Sequence, residues 1–96
     1  AWYNKGQDLY CLKRYEEAIQ AYDRALAIDR NYFAAWYNKG RALYYLNRHE
    51  EAIQAYDRAL AIDANDAFAL RERNSAAGAL KIERRPRFSW MRFWNW

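Results

Sequence analysis

The sequence predicts an all-α fold: an α-solenoid of antiparallel helical hairpins, with about five helices and an aromatic C-terminal tail. The first observation is an internal repeat, since residues 1–34 recur as residues 35–68 with differences at only nine positions. A period of this length is typical of helical repeat arrays. The second observation is that each repeat carries two apolar stripes with helical spacing. One structural unit must therefore explain both repeats.

Each repeat is predicted to fold as two antiparallel helices. The first helix carries an apolar stripe made by Trp2, Gly6, Leu9 and Leu12. The second stripe is made by Tyr15, Ala18, Ile19, Tyr22, Ala25 and Leu26. Only Lys13 and Arg14 separate the stripes, so the two helices must be antiparallel neighbours. Gly6 and Ala18 are expected where the backbones approach closely, since glycine inside a helix otherwise costs about 1 kcal/mol relative to alanine.

Six positions at fixed spacing, present twice, resemble the tetratricopeptide repeat family. They are Trp2, Gly6, Leu9, Ala18, Tyr22 and Ala25, then Trp36, Gly40, Leu43, Ala52, Tyr56 and Ala59. The resemblance covers residues 1–68 and implies a helical-repeat fold that serves protein–protein interaction. Three family positions differ: the proline after the second helix is Arg30 and Ala64, the turn glycine is Lys13 and Asn47, and an apolar position of the first helix is Lys5 and Lys39.

The rest of the chain is predicted to close the array. We divide the sequence into repeat 1 (residues 1–34), repeat 2 (35–68), a capping helix (69–83) and a basic, aromatic tail (84–96). A third unit starts at Ala69, but no partner helix follows it in the sequence. This is expected of a capping helix that covers the last exposed apolar face of a repeat array.

The predicted capping helix has its own start and stop signals. Asn65 or Asp66 is the expected N-cap, because a short polar side chain there can accept a hydrogen bond from the first turn. The expected inward stripe is made by Leu70, Ala77 and Leu80. Pro86 disfavours helical geometry at the residue before it, so we expect the helix to end by about Arg84.

Length and composition narrow the class of protein. The 96 residues make one small domain at most, no apolar stretch approaches the roughly 18–20 residues of a membrane span, and no signal peptide is visible. Because the chain lacks an initiator methionine, we expect a processed product, an excised fragment or a piece of a longer chain. The single Cys11 and single His49 exclude an internal disulfide and a Cys/His zinc site. The sequence does not indicate the cellular compartment of the protein.

The positive charge of the chain is concentrated near its end. Residues 1–68 contain nine Lys or Arg against ten Asp or Glu, a net charge of −1, whereas residues 69–96 contain seven against two, a net charge of +5. The two repeats therefore offer no basic surface for nucleic acid, which would need one to follow the phosphates.

No catalytic constellation is visible in the sequence. A nucleophile needs a base beside it, and the only histidine, His49, replaces Tyr15 at a helix start, where a structural role is expected. The glutamate pairs at residues 16–17 and 50–51 fall in the first turn of a helix, where negative charge is favoured by the helix dipole. No glycine-rich phosphate-binding loop is present. We expect no enzymatic activity, no cofactor and no metal.

The first helices of the two units carry the candidate binding residues. The family resemblance implies that these helices line a concave face, the usual peptide-binding surface. The candidate groove residues are Tyr3, Asn4, Gln7, Tyr10, Cys11, Tyr37, Asn38, Arg41, Tyr44 and Tyr45. Tyrosine suits recognition because it buries a large rigid ring and keeps a polar tip, and Asn4 and Asn38 could hold a backbone amide or a carboxylate. The alternative is that these tyrosines pack on the next repeat.

The sequence argues against one well-known family function. The resemblance implies that chaperone C-terminal tails are held by a set of Lys, Asn and Arg side chains. The corresponding positions here are Tyr3, Gln7, Asn38, Phe68 and Glu72, and only Asn38 matches. Without the cationic residues the clamp loses its basis in charge, so we do not expect chaperone-tail binding.

The tail at residues 84–96 allows four interpretations. Its large apolar side chains are Phe88, Trp90, Met91, Phe93, Trp94 and Trp96. These could cover a poorly protected repeat end, in the same chain or in a neighbour, and a tail-to-groove contact between copies would give rings or filaments. The tail could instead attach weakly to a membrane surface or to single-stranded nucleic acid, both disfavoured by the acidic repeats, or be an unstructured extension or linker.

Three functions follow from these observations. The first is a protein-interaction scaffold that binds an unidentified peptide or helix in a tyrosine-rich groove. The second is a structural repeat protein that assembles into an oligomer or filament through its repeat ends and the aromatic tail. The third is a weak cationic anchor to a membrane surface or nucleic acid.

Overall fold

A computed structural model describes residues 1–83 of the chain, and the predicted tail at residues 84–96 lies outside this part. The described residues form five α-helices and no strand: α1 (Trp2–Cys11), α2 (Tyr15–Ile28), α3 (Phe33–Tyr45), α4 (His49–Ile62) and α5 (Ala67–Glu83). Each helix packs on the next one along the chain, with α1 on α2 and α3 on α4 as hairpins, joined by α2 on α3 and α4 on α5. The predicted all-α solenoid is confirmed.

Buried tyrosine rings lie against glycine backbones inside each hairpin. The side chains of Tyr22 and Tyr56 are fully buried. A Cβ atom built on Gly6 would lie 2.6 Å from Cε1 of Tyr22, and one built on Gly40 would lie 2.6 Å from Cε1 of Tyr56. Since real Cβ contacts do not come this close, only glycine allows the ring to sit there. The nearest atoms to Gly6 are therefore those of the Tyr22 ring, not those of the α2 backbone as the sequence suggested.

The predicted apolar stripe of the second helix is buried, but that of the first helix is buried only in part. Ala18, Ile19, Tyr22, Ala25 and Leu26 all belong to the core. In α1, however, Trp2 is exposed and Leu12 keeps 66% of its accessible surface. The equivalent of Leu12 in the second unit, Leu46, is partly covered because it packs on the core that α2 and α3 share. Within residues 1–83, no helix takes the place of α2 on that side of α1.

The two turns inside the hairpins require a left-handed residue. Lys13 and Asn47 both have φ of 61°. The N–H of Arg14 donates to the carbonyl of Leu9 at 2.9 Å, and the N–H of Lys13 donates to the carbonyl of Tyr10 at 2.9 Å, a pair of bonds that defines the Schellman helix end. Lys13 and Asn47 therefore keep the left-handed backbone conformation of the family glycine that they replace.

The helix α5 keeps the register of the repeat. It begins at Ala67, one full repeat after the start of α3 at Phe33 and two positions before the predicted range. Ala69 and Ala76 are fully buried, as are their equivalents in α3, Ala35 and Ala42. The helix α5 is thus the first helix of a third unit, and it covers α4 as α3 covers α2.

The start of α5 is capped by one of the two predicted residues. Oδ1 of Asp66 accepts a hydrogen bond from the backbone N–H of Ala69 at 2.9 Å, which satisfies a donor that has no partner within the helix.

The predicted inward stripe of α5 is wrong at its first position. Leu70 keeps 47% of its surface exposed, and Ala77 and Leu80 are only partly buried. The buried residues are Ala69 and Ala76, because they lie on the side of α5 that packs against α4. Leu70 and Ala77 lie instead on the side that, in α3, faces the second helix of its own hairpin.

An ion pair recurs at the boundary between successive units. Nζ of Lys39 in α3 lies 2.6 Å from Oδ1 of Asp23 in α2. The equivalent residues of the next boundary, Arg73 and Asp57, form the same pair between α5 and α4. The lysine that replaces an apolar family residue therefore bridges two helices. Such half-exposed pairs contribute at most about 1 kcal/mol each.

Candidate functional site

Side chains from the first helices of the two units meet on one side of the molecule. The ring of Tyr10 in α1 lies 6.1 Å from the ring of Tyr45 in α3, edge on. Nearer the N-terminal ends of the same helices, Nδ2 of Asn38 donates to the hydroxyl of Tyr3 at 3.0 Å. The surface between these contacts, lined by Tyr10, Tyr37, Arg41 and Tyr45, is called the tyrosine face below.

Arg41 occupies the centre of the tyrosine face. Its guanidinium carbon lies 5.4 Å from the ring centre of Tyr10 and 5.8 Å from that of Tyr37, within the range of cation–π attraction. Burial acts to lower the pKa of Arg41, but the nearby phenol groups of Tyr10 and Tyr37 and a hydrogen bond with Tyr45 raise it overall. Arg41 therefore carries a fixed positive charge between two aromatic rings.

The outer edge of the tyrosine face is formed by Tyr45. Its ring stacks on that of Tyr15 with centres 5.2 Å apart and an angle of 18° between the planes, yet 53% of its surface stays exposed. A large ring that is held by stacking and remains accessible can bind a partner without a large loss of side-chain entropy.

Tyr44, although predicted to line the groove, packs against its own hairpin. Its ring lies 5.0 Å from the imidazole of His49, edge on, and it is partly buried against the core. His49 itself is buried at the start of α4, a location consistent with the structural role expected for it. Tyr44 is thus a packing residue, although the contact with His49 lies within its own hairpin and not on the next repeat.

Three further predicted residues, Tyr3, Gln7 and Asn38, form hydrogen bonds within the chain. The hydroxyl of Tyr22 donates to Oε1 of Gln7. Asn38 is buried and donates to Tyr3, whose ring stacks on Tyr32 with centres 4.8 Å apart. Burial raises the pKa of Tyr3, with Tyr32 acting in the same direction. These polar groups therefore already have hydrogen-bond partners within the chain.

The remaining predicted residues, Asn4 and Cys11, are exposed near the two ends of α1. Asn4 borders a small apolar cleft of about 280 Å³ at the start of the array. The cleft is lined by Ala1, Trp2, Tyr3, Asn4, Ala25, Ile28, Asp29 and Tyr32. It lies at the opposite end of α1 from Tyr10, so the predicted residues are divided between two neighbouring surfaces.

Sequence reasoning missed Tyr15 and Tyr32 as neighbours of the site. Tyr15 opens α2 and Tyr32 lies in the loop before α3, so neither belongs to the first helices from which the groove was predicted. Both are among the nine positions at which the repeats differ, and that difference is the signal that could have identified them. Glu72 occupies the position of Asn38 one repeat later. Burial is the main cause that raises the pKa of Tyr37, and the negative charge of Glu72 raises it further.

The described residues contain neither a metal-binding cluster nor a helix that could span a membrane. No group of three or more His, Cys, Asp or Glu side chains within residues 1–83 could hold a metal ion. In the same part of the chain, none of the helices has the length and apolar character needed to cross a bilayer.

Solved structures of other proteins share this architecture. The first TPR of Spaghetti (RPAP3) bound to HSP90 peptide SRMEEVD is 29% identical with a TM-score of 0.80, over 82% of this chain and 63% of that one. The first TPR domain of the human RPAP3 protein is 27% identical with a TM-score of 0.82, over 88% of this chain and 67% of that one. MamA protein is 24% identical with a TM-score of 0.73, over 83% of this chain and 49% of that one, and shows the fold alone.

The chain thus spans about two thirds or less of the solved chains that it resembles. No curated protein matches it. A sequence model of the tetratricopeptide repeat matches residues 3–67, well over half of the 96 residues and nearly all of the two hairpins. The chain belongs to the tetratricopeptide repeat family.

Proposed function

We propose that this chain is a non-enzymatic interaction module that binds a peptide segment or one face of a helix of another protein on the tyrosine face. The tetratricopeptide fold supports a protein–protein interaction module in general. The observation that carries the finer proposal is Arg41, held between Tyr10 and Tyr37 beside the half-exposed ring of Tyr45. Arginine and tyrosine are among the residue types that dominate the binding energy of protein interfaces.

The predicted residues have two different roles in this proposal. Tyr10, Tyr37, Arg41 and Tyr45 contact the partner, because their rings and charge border the open surface. Supporting residues hold them in place: Tyr3, Gln7, Asn38 and Tyr44. Preorganised rings of this kind lower the entropy lost on binding. Asn4 and Cys11 lie at the margins of the surface and would contact only a longer partner segment.

The charge of the tyrosine face favours a partner that is different from the peptide bound by the solved relative. That relative holds SRMEEVD, a peptide of HSP90. In this chain, Arg41 supplies one positive charge, but the nearby Glu72 contributes a negative charge to its surroundings. We expect a segment with one acidic or carbonyl group opposite Arg41 and an apolar or aromatic side chain against Tyr45, rather than an acidic tail.

Peptide selection followed by affinity measurement tests the proposal. Peptides selected on the full chain should lose about tenfold or more in affinity with Arg41→Gln, which places at this position the residue that the first repeat has at Gln7, and with Tyr45→Ala. Gln20→Ala, an exposed position on α2, is the matched control and should leave Kd unchanged. SRMEEVD serves as the reference peptide and should bind more weakly than the selected ones.

Two outcomes of these affinity measurements would contradict the proposal. If the selected peptides bind the Arg41 and Tyr45 variants as well as the original chain, while both variants remain folded by circular dichroism, then the tyrosine face is not the binding surface. If SRMEEVD binds more tightly than every selected peptide, the proposed difference in partner chemistry is wrong.

A further inference from the structure

We propose that the aromatic residues 84–96 dock on an open side of α5 in the same chain, at the place that α4 takes on α3. This side, called the open face, consists of Leu70, Asn74 and Ala77. By register, the open face corresponds to the side of α3 that packs on α4. The proposal is argued from this side alone and does not depend on the tyrosine face.

The register of the repeats shows what the open face would normally contact. Leu70, Asn74 and Ala77 are the equivalents, one repeat later, of Trp36, Gly40 and Leu43. In α3 this side is covered by α4: the ring of Tyr56 lies against Gly40 and Leu43 is fully buried. On α5, by contrast, Leu70 is half exposed, Asn74 is exposed and Ala77 is only partly buried. The surface that α4 covers in one unit is thus uncovered in the next, as far as residues 1–83 extend.

The chain itself supplies an occupant directly after α5. In both hairpins the second helix begins four positions after the first one ends, from Cys11 to Tyr15 and from Tyr45 to His49. After Glu83 the sequence continues to Trp96, with a proline early in this segment and six large apolar side chains beyond it. A segment of this length spans up to about 45 Å, whereas α5 is roughly 25 Å long, so it can return along the whole helix.

The shape of the open face favours long side chains over a closely packed second helix. Asn74 stands where α3 has Gly40, and the Cβ of a residue at that place would collide with a ring positioned like Tyr56. An occupant must therefore lie farther from α5 than α4 lies from α3. Tryptophan and phenylalanine can bridge that larger gap, and each buries an area of about 150–250 Å².

A second copy of the chain offers a poorer occupant. Its first hairpin would present the side of α1 that bears Asp8, at the position where α3 and α5 have the buried residues Ala42 and Ala76. Burying that carboxylate against Leu70 without a partner is costly. The aromatic segment of the same chain carries no acidic residue and is tethered at Glu83, which gives it a high effective concentration.

A double-mutant cycle in the full chain tests the contact. Leu70→Ser removes the apolar side chain of the open face, and a second variant replaces Trp90, Phe93 and Trp94 by serine. We expect Leu70→Ser to lower Tm by about 4–8 °C in the original chain and by much less when the three rings are absent. Ile82→Ser is the matched control, because Ile82 is 74% exposed on a different side of α5, and its effect should be the same in both backgrounds.

Nuclear Overhauser contacts provide a second readout that needs no substitution. In the original chain, the methyl protons of Leu70 and Ala77 should show contacts to indole protons of the tail tryptophans. These contacts should be absent from the intermolecular spectrum of a mixed labelled and unlabelled sample. Equal effects of Leu70→Ser in both backgrounds, or a lack of methyl–indole contacts, would overturn the proposal. Contacts found only between molecules, together with a solution mass above that of one chain, would overturn it in favour of a second copy.

Discussion

At the scale of single residues, the two hairpins depend on glycine at one position each. The ring of Tyr56 lies where the Cβ of any other residue at Gly40 would be placed, 2.6 Å from Cε1 and 2.9 Å from Cζ. The ring is fully buried and cannot move away without opening the interface between α3 and α4. The requirement is steric, since no glycine within residues 1–83 has a positive φ.

The glycines therefore give a matched pair of opposite predictions. Gly40→Ala is expected to lower the free energy of unfolding by about 1–3 kcal/mol, because it overpacks the core. Gly78→Ala is expected to raise it by up to about 1 kcal/mol, because apart from the backbone of its own helix no atom of the described residues lies within 4 Å of the added methyl group, and alanine is the better helix former. Urea denaturation of both variants measures the two values. A Gly40→Ala variant as stable as the original chain would contradict the steric account.

A second residue-scale difference concerns the buried tyrosine hydroxyls. The hydroxyl of Tyr22 donates to Gln7, but the second repeat has Arg41 at that position, and an arginine cannot accept a hydrogen bond. The hydroxyl of Tyr56 is buried without a hydrogen-bond partner among the described residues. The same substitution that places a cation on the tyrosine face thus leaves a donor unsatisfied in the core, at a cost of about 1–3 kcal/mol.

At the scale of elements, the hairpin turns carry residues of unequal suitability. Lys13 and Asn47 have the same left-handed φ of 61°, and their neighbours form the same pattern of helix-ending hydrogen bonds. Asparagine tolerates this conformation, whereas in lysine the contact between Cβ and the backbone costs about 1 kcal/mol or more. The first turn is therefore the more strained of the two.

Replacing each turn residue by glycine tests this difference. Lys13→Gly is expected to raise the free energy of unfolding by about 0.5–1 kcal/mol, less than the full conformational gain because glycine also adds entropy to the unfolded chain. Asn47→Gly, its control in the second hairpin, should change stability by only a few tenths of a kcal/mol. Equal gains from both substitutions, measured by thermal and urea unfolding, would show that left-handed strain at Lys13 is not the cause.

The elements were predictable from the sequence to different degrees. The hairpins followed from the repeat period and from the stripe of Ala18, Ile19 and Tyr22. The second helix of a unit packs on the helices before and after it, so its apolar side is buried and shows in the sequence as a clear stripe. The exposure of Trp2 and Leu12 did not follow, since it depends on which neighbouring helices are present. The side of α5 that is buried was also mistaken at Leu70: a lone helix can bury either side, and only its contact with α4 decides.

The candidate site was predictable in position but not in role. Register alone placed Tyr10, Tyr37, Arg41 and Tyr45 on the first helices. Whether a polar tip is free depends on long-range partners, such as the bond from Asn38 to Tyr3, which lie 35 residues apart in the chain. No local pattern reports such a contact, so the supporting residues could be separated from the exposed ones only in three dimensions.

At the scale of the whole molecule, stability rests on many tyrosines that are harder to ionise than free tyrosine. Burial raises the pKa of Tyr22 and of Tyr56 above the ordinary value of 10.0, and burial also raises the pKa of Tyr3, Tyr10 and Tyr37. In the unfolded chain these groups lose their protons near pH 10, while in the folded chain they keep them. The unfolded state therefore binds fewer protons than the folded state above pH 10, and stability must fall there.

Below pH 10 the ionisation of these tyrosines is therefore expected to leave the free energy of unfolding unchanged. Above pH 10 the free energy of unfolding should fall steadily as the pH rises. Each tyrosine that stays protonated in the folded state lowers the free energy of unfolding by up to about 1.4 kcal/mol per pH unit. Urea denaturation at pH 9, 10 and 11, with tyrosinate followed by its ultraviolet absorbance, measures the slope. Tyr56→Phe is the control, because it removes one such group and leaves no hydrogen bond broken, so the slope should decrease by one tyrosine's share. A free energy of unfolding that is unchanged from pH 9 to 11 would mean that the buried rings ionise in the folded chain as easily as in the unfolded one, and that the tyrosine core is open to solvent.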